Sequence, residues 1–479
     1  MEEYRKIPLG LAVIPFLVMI IAMAFTILVF DGAPHIPLIL GAMVAAFVAW
    51  RCGYTWREIE SSVYTGIYKV LPAVVILIMV GMIISSWIGS GIVGTMIFYG
   101  LKILSPSIFL VAIMVICAVV SVMIGSSWST MGTIGIAGMG IGISMGFNPA
   151  MVAGAIISGA YFGDKMSPLS DTTVLASSMS GADLFQHIRH MTYTTVPATI
   201  IALIIYWIMG LKYAGGSLQS QGIDNVIKGL ESQFVISPWL LLIPLAVILL
   251  IAKKVPALPA LAAGIILGFL AEIFVQGVSV SEAVVALQSG YHVDTGNKTV
   301  NSLLNQGGIS AMMYTVSLAM VAMMFGGIME GTGMLKVIVD QILKVVRKDR
   351  SLLVTTVLSS FITNIITAEQ YISIVIPSRM YNRVYKDRGL HPKNLSRALE
   401  DGGTVTAPLI PWSTGGVFIL STLGVGALQY APYAVLNIAT PIISIMISLI
   451  GFKVVYMKKN NVAEKKKGYQ GDQKENMGL

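Results

Sequence analysis

The chain has 479 residues, of which 56% are hydrophobic and only 11% are charged. A typical soluble protein has about 25% charged residues, so this sequence has too little polar surface for a water-soluble globule. Soluble enzymes and nucleic-acid-binding proteins are excluded, and two cysteines are too few for a disulfide framework. The formal net charge of +8 therefore needs no acidic partner.

Apolar segments recur along the whole chain. We expect apolar helices near residues 8–30, 35–50, 69–89, 107–124, 134–146, 150–163, 194–211, 238–252, 258–277, 310–329, 351–366, 371–378, 415–429 and 432–456. The first is long enough to cross a hydrocarbon layer of about 30 Å and lacks a signal-cleavage site, so we expect it to be retained. Several others are short and end in Gly, Pro, Ser and Thr clusters, which is typical of broken helices. The pattern predicts an all-α polytopic membrane protein with broken helices and re-entrant hairpins.

Three short patterns occur twice in the same order and indicate an internal repeat. They are Gly53, Glu58 and Gly66 with Gly277, Glu282 and Gly290; Gly89 and Gly91 with Gly331 and Gly333; and Gly163 to Leu169 with Gly403 to Leu409. The offsets between the copies are 224, 242 and 240 residues, and a polar insertion at 292–308 accounts for the increase. We predict a first repeat over residues 1–230, a second over 231–456 and a basic tail over 457–479.

Charge placement predicts that the two repeats have opposite orientations in the membrane. Residues 379–397 carry six Lys or Arg residues, whereas the corresponding stretch of the first repeat, 143–149, carries no charge. Basic loops stay on the cytoplasmic side. We therefore expect inverted-topology repeats, with 379–397 and both termini in the cytoplasm and 143–149 outside.

Four polar, helix-breaking clusters lie at corresponding places in the two repeats, at residues 125–133, 163–173, 363–370 and 400–416. Non-helical backbone at membrane depth occurs only where it is buried in protein or lines an aqueous cavity. The ionisable side chains in these clusters are acidic apart from Lys165, which favours a cation over an anion. Carbonyl, hydroxyl and carboxylate oxygens are the ligands of a dehydrated alkali cation. Because the chain has no phosphate-binding Gly-x-x-x-x-Gly-Lys-Ser/Thr motif, an ion gradient is the expected energy source.

Carboxylates inside the membrane usually mark ion or proton pathways, and we predict proton and cation exchange at Asp164, Asp171 and Glu369. Two alternatives remain open from the sequence. Asp164 can instead pair with Lys165 or cap a helix, and Glu369 can lie at an interface.

Two further acidic residues, Glu400 and Asp401, are expected to cap the entry to the fourth polar cluster, and direct ligation of the cation is the alternative. The five histidines (His35, His187, His190, His292 and His391) are expected in loops or in the insertion, without metal-ligand spacing.

Hydroxyl and amide side chains beside these carboxylates complete the predicted substrate and cation site. The candidates are Ser126, Ser127, Thr130, Ser167, Thr172, Asn364, Thr367, Thr406, Ser413 and Thr414. For Na⁺ itself we predict contact with Asp164, Asp171 and Asn364. The alternative for the serines and threonines is a hydrogen bond back to a helix carbonyl, their commonest role in membrane helices.

The run Ser158–Val174 (Ser-Gly-Ala-Tyr-Phe-Gly-Asp-Lys-Met-Ser-Pro-Leu-Ser-Asp-Thr-Thr-Val) resembles the signature of NhaC-type Na⁺/H⁺ antiporters, and Glu400–Trp412 resembles that family's second motif. The resemblance implies a secondary transporter of the bacterial inner membrane, with inverted repeats arranged as a mobile transport domain and a scaffold. It also implies a homodimer in the lipid bilayer with no cofactor. Family members include Na⁺/H⁺ exchangers and malate/lactate antiporters, which these motifs do not separate.

Two functional hypotheses follow from these residues and this resemblance. In the first, Na⁺ and H⁺ compete for the shared carboxylates, and the loaded transport domain moves across the membrane. In the second, the same fold carries small carboxylates such as malate and lactate together with Na⁺. An ion channel or an intramembrane enzyme is disfavoured, because the polar clusters are paired and local rather than forming a continuous pore or a catalytic pair.

Overall fold

The structure is a computed structural model that describes residues 7–30, 32–213, 226–253, 255–293, 301, 304–344 and 348–457. The predicted basic tail lies, apart from residue 457, outside the described residues. So do parts of the predicted insertion.

The first part of the chain is helical throughout. Its helices are α1 (Leu9–Leu28), α2 (His35–Arg51), α3 (Trp56–Gly89), α4 (Ile92–Ile103), α5 (Pro106–Ile124), α6 (Ser127–Thr130), α7 (Ile136–Ser144), α8 (Pro149–Met166), α9 (Asp171–Ser180) and α10 (Leu184–Leu211). A π-helical turn at Met131–Gly135 joins α6 to α7.

The described residues of the second part also form helices joined by short turns. Its helices are α11 (Val226–Gln233), α12 (Leu242–Ala252), α13 (Ala257–Phe274), α14 (Val280–Ser289), α15 (Gly308–Gly331), α16 (Met334–Lys344), α17 (Asp349–Thr367), α18 (Gln370–Asp387), α19 (Pro392–Gly402), α20 (Thr414–Leu423), α21 (Ala427–Tyr430) and α22 (Val435–Ile450). Short 3₁₀ turns precede α12 and α22 and follow α19.

Six of the described helices are long and apolar enough to cross a membrane, or up to eight spans if two bent helix pairs each count as one. These bent pairs are Val226–Gln233 with Pro238–Leu250, at 92°, and Thr414–Leu423 with Ala427–Tyr433, at 87°. The predicted all-α polytopic fold with broken helices is thus confirmed. The predicted single segment at 415–429 contains the sharp bend that follows Leu423.

Helix bounds recur through the two halves at an offset of 243 residues (349 minus 106). At this offset α5 overlies α17, α8 overlies α19 with its following 3₁₀ turn (Thr404–Leu409), and α9 overlies α20. The expected equivalence of Gly163 with Gly403, an offset of 240, is therefore wrong by three residues. That equivalence rested on similar residue types, whereas the register is defined by the ends of the corresponding helices.

The capping residues support this register. Asn148 and His391 each accept a hydrogen bond from a backbone N–H two residues on, at Ala150 and Lys393. The pair Glu58 and Glu282 keeps its separate offset of 224 residues, and each of these residues completes a capping box at the start of its helix. The division near residue 230, which falls within α11, and the opposite membrane orientation of the repeats stay predictions.

An equivalent hydrogen bond ties the two members of each α-helical pair together. Ser121 in α5 donates to the carbonyl of Ala160 in α8 at 2.6 Å. Asn364 in α17 donates through its side-chain amide to the carbonyl of Gly403, at the end of α19, at 2.9 Å. Both donors and both acceptors are 243 residues apart, so the same polar contact holds the same helix pair twice.

Glycine allows the closest helix contacts. A Cβ atom on Gly66 of α3 would lie 2.2 Å from the carbonyl oxygen of Met323 in α15, and one on Gly159 of α8 would lie 2.2 Å from that of Met114 in α5. Any larger residue would push these backbones apart, which matches the use of small residues at membrane helix interfaces.

The segment 379–397, expected to be a basic loop, is mostly helical. It contains the end of α18 and the start of α19, joined by a short turn at 388–391. Arg397 is fully buried, so it does not belong to the charged loop. Arg383, in contrast, is 91% exposed and remains a marker of that side.

We expect Arg383→Cys to be labelled only from the cytoplasmic side, and Asn148→Cys only from the outside. Both would be made in a chain lacking Cys52 and Cys117. The reason is the charge asymmetry between the two corresponding turns, and the measurement is maleimide labelling of intact cells against inverted vesicles. Labelling of both positions from the same side would contradict the inverted repeat.

Candidate functional site

Two helix breaks form the floor of the site. Gly125 directly follows α5, and Ala368 directly follows α17. Both residues adopt the left-handed conformation, with φ of 74° and 57°. The residues that follow, Ser126 and Glu369, then cap the next helices. The left-handed conformation of Ala368 costs about 1 kcal/mol relative to a right-handed one. The contacts around this turn must therefore offset that cost.

A cavity of about 780 Å³ opens beside these breaks. All three predicted exchange residues, Asp164, Asp171 and Glu369, line it, together with the predicted Ser126 and Ser127. Residues from both halves of the chain thus share one cavity.

Asp164 lies in the last turn of α8 and is only 3% exposed. Its two carboxylate oxygens each accept a hydrogen bond, from the hydroxyl of Ser127 at 2.7 Å and from that of Ser170 at 2.6 Å. The neighbouring Lys165 does not pair with it, since its ammonium contacts Asp401 instead. Asp164 is therefore held by hydroxyl groups, which can also coordinate a cation through their oxygen.

Asp171 is the first residue of α9 and is exposed to the cavity. One carboxylate oxygen accepts a hydrogen bond from the Tyr371 hydroxyl, which comes from the other half of the chain. The other accepts one from the backbone N–H of Thr172 at 2.8 Å. The helix N-terminus favours a negative charge at this position.

Glu369 caps α18 and is 4% exposed. Its carboxylate accepts a hydrogen bond from the backbone N–H of Tyr371 at 3.2 Å and one from the hydroxyl of Thr414 at 2.8 Å. Of the two placements left open by the sequence, the structure places this side chain in the cavity wall.

The remaining candidates lie beside the cavity rather than in its lining, and most of their hydroxyls bond to nearby oxygens. Thr130, Ser167, Thr367, Thr406 and Ser413 donate to backbone carbonyls, and Thr172 contacts the hydroxyl of Ser170. Asn364 uses its amide nitrogen for Gly403, and its side-chain oxygen has no partner among the described residues. These groups support the breaks from behind.

The three carboxylates share the cavity without converging, because the described part of the chain has no group of three His, Cys, Asp or Glu side chains spaced for one metal ion. A cation there would be held by one carboxylate with hydroxyl and carbonyl oxygens. The Asp164, Ser127 and Ser170 group has that composition.

Sequence reasoning missed several cavity residues. Lys69 of α3 contacts both carboxylate oxygens of Glu330 in α15 at 2.7 Å, and this ion pair lies in the cavity lining with Arg379 and Tyr371. The available signals were a lysine that begins the predicted apolar segment 69–89 and a glutamate that directly follows the predicted segment 310–329. Their pairing depends on helix packing, which the sequence does not show.

Glu400 and Asp401 do not cap a helix, contrary to expectation. Both lie inside α19 and are fully buried, where Asp401 pairs with Lys165. The expectation that His187 and His190 lie in loops is also wrong, because both are buried residues of α10. The first turns of α10 contain several polar residues, and this composition led to the expectation of a loop.

Comparison with known proteins decides the family. The sequence profile described as "Na+/H+ antiporter family" matches residues 159–452. The chain belongs to the Na⁺/H⁺ antiporter family. It is 38% identical to the Na⁺/H⁺ antiporter NhaC of Alkalihalophilus pseudofirmus, over 96% of this chain and 99% of that one. The predicted resemblance is confirmed, and the chain is a multi-pass membrane protein of a transporter family.

Other relatives carry different names. The chain is 35% identical to the malate-2H⁺/Na⁺-lactate antiporter of Bacillus subtilis, over 97% of this chain and 99% of that one. It is 37% identical to the arginine/ornithine antiporter ArcD of Halobacterium salinarum, over 95% of both chains. Identities this similar do not by themselves select a substrate.

We expect Tyr371→Phe to raise the Na⁺ concentration for half-maximal transport roughly tenfold at neutral pH. A hydrogen bond to a charged group contributes about 1.5–3 kcal/mol, and 1.4 kcal/mol is a factor of ten. Without this donor the Asp171 carboxylate loses the hydrogen bond that reaches it from the other half of the chain, so its position in the cavity is less well defined for a cation.

The matched control is Tyr381→Phe in the same helix. The Tyr381 hydroxyl contacts Ser359 at 2.7 Å and does not line the cavity. An equal change in both variants, measured as Na⁺-dependent proton movement in proteoliposomes, would contradict the role given to the Tyr371 hydroxyl.

Proposed function

We propose that this protein is a Na⁺/H⁺ antiporter that exchanges cytoplasmic Na⁺ for H⁺ by competition at Asp164, Asp171 and Glu369. The observation that carries the proposal is that all three carboxylates, from both halves of the chain, line one cavity at the helix breaks. The family membership and the name of the Alkalihalophilus relative support it.

Asp164 is the proposed Na⁺ ligand. Its carboxylate accepts hydrogen bonds from the hydroxyls of Ser127 and Ser170. A hydroxyl can rotate and present its lone pairs, so Na⁺ can bind to the carboxylate and both serine oxygens without large backbone movement. The buried position excludes most water and strengthens this interaction.

Asp171 is the proposed proton-exchanging group, because it is the carboxylate exposed to the cavity. A proton can reach it from water directly, whereas Asp164 and Glu369 are almost fully covered. All three carboxylates line the same cavity, so we assign proton binding to the group of carboxylates rather than to a single residue.

The movement that carries the site across the membrane is proposed to be of the elevator type, in a homodimer, with both termini cytoplasmic in a bacterial plasma membrane. The repeated helix breaks at corresponding positions of the two halves support a site carried by one mobile unit. The dimer and the location rest on the family resemblance.

A second candidate function is Na⁺-coupled antiport of small carboxylates such as malate and lactate. The observation in its favour is the pair of cationic side chains, Lys69 and Arg379, in the lining of the same cavity. Lys69 is already engaged with Glu330, which weakens the case for an organic anion. The Bacillus relative's name is the other support.

The two functions are separated by adding Na⁺, K⁺, malate or lactate in turn to proteoliposomes that contain a pH-sensitive dye. We expect Na⁺ alone to move protons, since three carboxylates offer cation sites. A response that needs malate or lactate on either side would replace the first proposal with the second.

We expect Asp164→Asn and Asp171→Asn each to reduce Na⁺-driven proton movement to background. Asparagine keeps the size and some hydrogen bonds but cannot ionise, so it neither releases a proton nor balances the charge of Na⁺. The measurement is dye dequenching in proteoliposomes, with folding checked by size-exclusion chromatography in detergent.

The matched control is Asp183→Asn. Asp183 is exposed and caps α10 by accepting a hydrogen bond from Gln186 at 2.9 Å, and asparagine caps a helix about equally well. This variant should transport like the wild type. Full exchange by a well-folded Asp171→Asn protein would remove Asp171 from the mechanism and leave Glu369 as the next candidate.

A further inference from the structure

A second group of buried charges lies behind the cavity. The ammonium of Lys165, from α8, pairs with Asp401 of α19, and both side chains have no exposed surface. Asp401 also accepts a hydrogen bond from the hydroxyl of Thr194 at 3.1 Å and lies 3.9 Å from the fully buried guanidinium of Arg397. This cluster joins the two halves of the chain next to Asp164.

Glu400, which precedes Asp401, has a different environment. Its side chain is fully buried, and neither carboxylate oxygen has a hydrogen-bond partner among the described residues. The adjacent Asp401 contacts Lys165, which follows Asp164 in α8. An ionised carboxylate that is buried without hydrogen bonds is unfavourable, so the protonation of Glu400 must follow the neighbouring charges.

The charges nearby make protonation of Glu400 depend on the cation site. Lys165, Arg397 and Asp401 together carry one positive charge, which an ionised Asp164 balances while Glu400 is protonated. When Na⁺ neutralises Asp164, the balance is lost, and an ionised Glu400 restores it.

Other titratable groups around the cluster do not replace this balance. From α10, His187 has no hydrogen-bond partner at either ring nitrogen among the described residues, and His190 contacts Arg397 at 3.2 Å. Because a guanidinium only donates hydrogen bonds, the His190 nitrogen that contacts Arg397 is the acceptor, which requires a neutral nitrogen there. From α18, Tyr385 is held by Thr356 at 2.9 Å.

We propose that Glu400 is a second proton-binding site, physically separate from the cavity carboxylates, which releases its proton when Na⁺ binds at Asp164. It adds one proton per Na⁺ to the proton exchanged in the cavity. In this step the carboxylic O–H bond breaks, the electron pair stays on the carboxylate and the proton passes to water, so no other reactant is required. By linkage, protonation of Glu400 weakens Na⁺ binding by the same factor by which bound Na⁺ weakens proton binding at Glu400. This inference rests on the proposed Na⁺/H⁺ exchange.

The test is the coupling ratio of Glu400→Gln in proteoliposomes, measured as the Na⁺ gradient that balances an imposed pH gradient and voltage. We expect the number of protons per Na⁺ to fall by one. Exchange of radioactive Na⁺ for Na⁺, which needs no net proton movement, should remain within about twofold of the wild type. Because the carboxylate has no hydrogen-bond partner to lose, thermal stability in detergent should not fall.

The matched control is Glu272→Gln. Glu272, in α13, is also buried, and one of its carboxylate oxygens has no partner among the described residues. It packs against Gly89 and does not line the cavity, so the ratio should stay at the wild-type value. Glu400→Asp retains an ionisable group and should also keep the wild-type ratio.

A wild-type coupling ratio in folded Glu400→Gln would overturn the proposal, and so would an equal fall in Glu272→Gln. If Glu400→Gln does not fold, Glu400→Met, which leaves no polar group in the apolar site, takes its place under the same criteria. Failure of the proposed function is distinguishable, because the wild type would then show no Na⁺-driven proton movement before any variant is compared.

Discussion

The structure depends on satisfying backbone polar groups where helices stop inside the membrane. Each helix end leaves N–H or C=O groups without partners, and lipid offers them none. The chain meets this requirement at both breaks with the same devices, a left-handed residue followed by a polar cap at Ser126 or Glu369. The polar groups gathered for this purpose also create the cavity, so the requirement for stability and the site for ions arise together.

The polytopic helical fold and three of the cavity carboxylates, Asp164, Asp171 and Glu369, could be read from the sequence. Apolar runs report membrane helices directly, and a carboxylate such as Asp164 in an apolar chain is costly enough to indicate a site. The pairing of Lys165 with Asp401 could not be read, because their contact joins residues far apart in sequence. Similarly, α10 begins with polar residues that look like a loop until its partners are known, and they bury His187.

The distribution of hydroxyl groups shows why most polar candidates do not line the cavity. Threonine and serine in a membrane helix have a carbonyl four residues back within reach, and Thr367 and Thr406 use it. A hydroxyl stays free for other contacts where it follows a break, as Ser127 does. Spacing from a break, rather than residue type, separates the two roles, and the location of each break becomes definite only with the helix ends.

The 243-residue register shows how the acidic residues of the cavity are distributed between the two halves of the chain. Asp164 corresponds to Ala407, Asp171 to Thr414, and Glu369 to Ser126, so every acidic position in one copy is non-acidic in the other. Two identical copies with all these acids would crowd six like charges into one cavity. Mutual repulsion would then hold several of them protonated and unable to respond to an ion. The two halves instead carry complementary groups, and neither half contains the whole set.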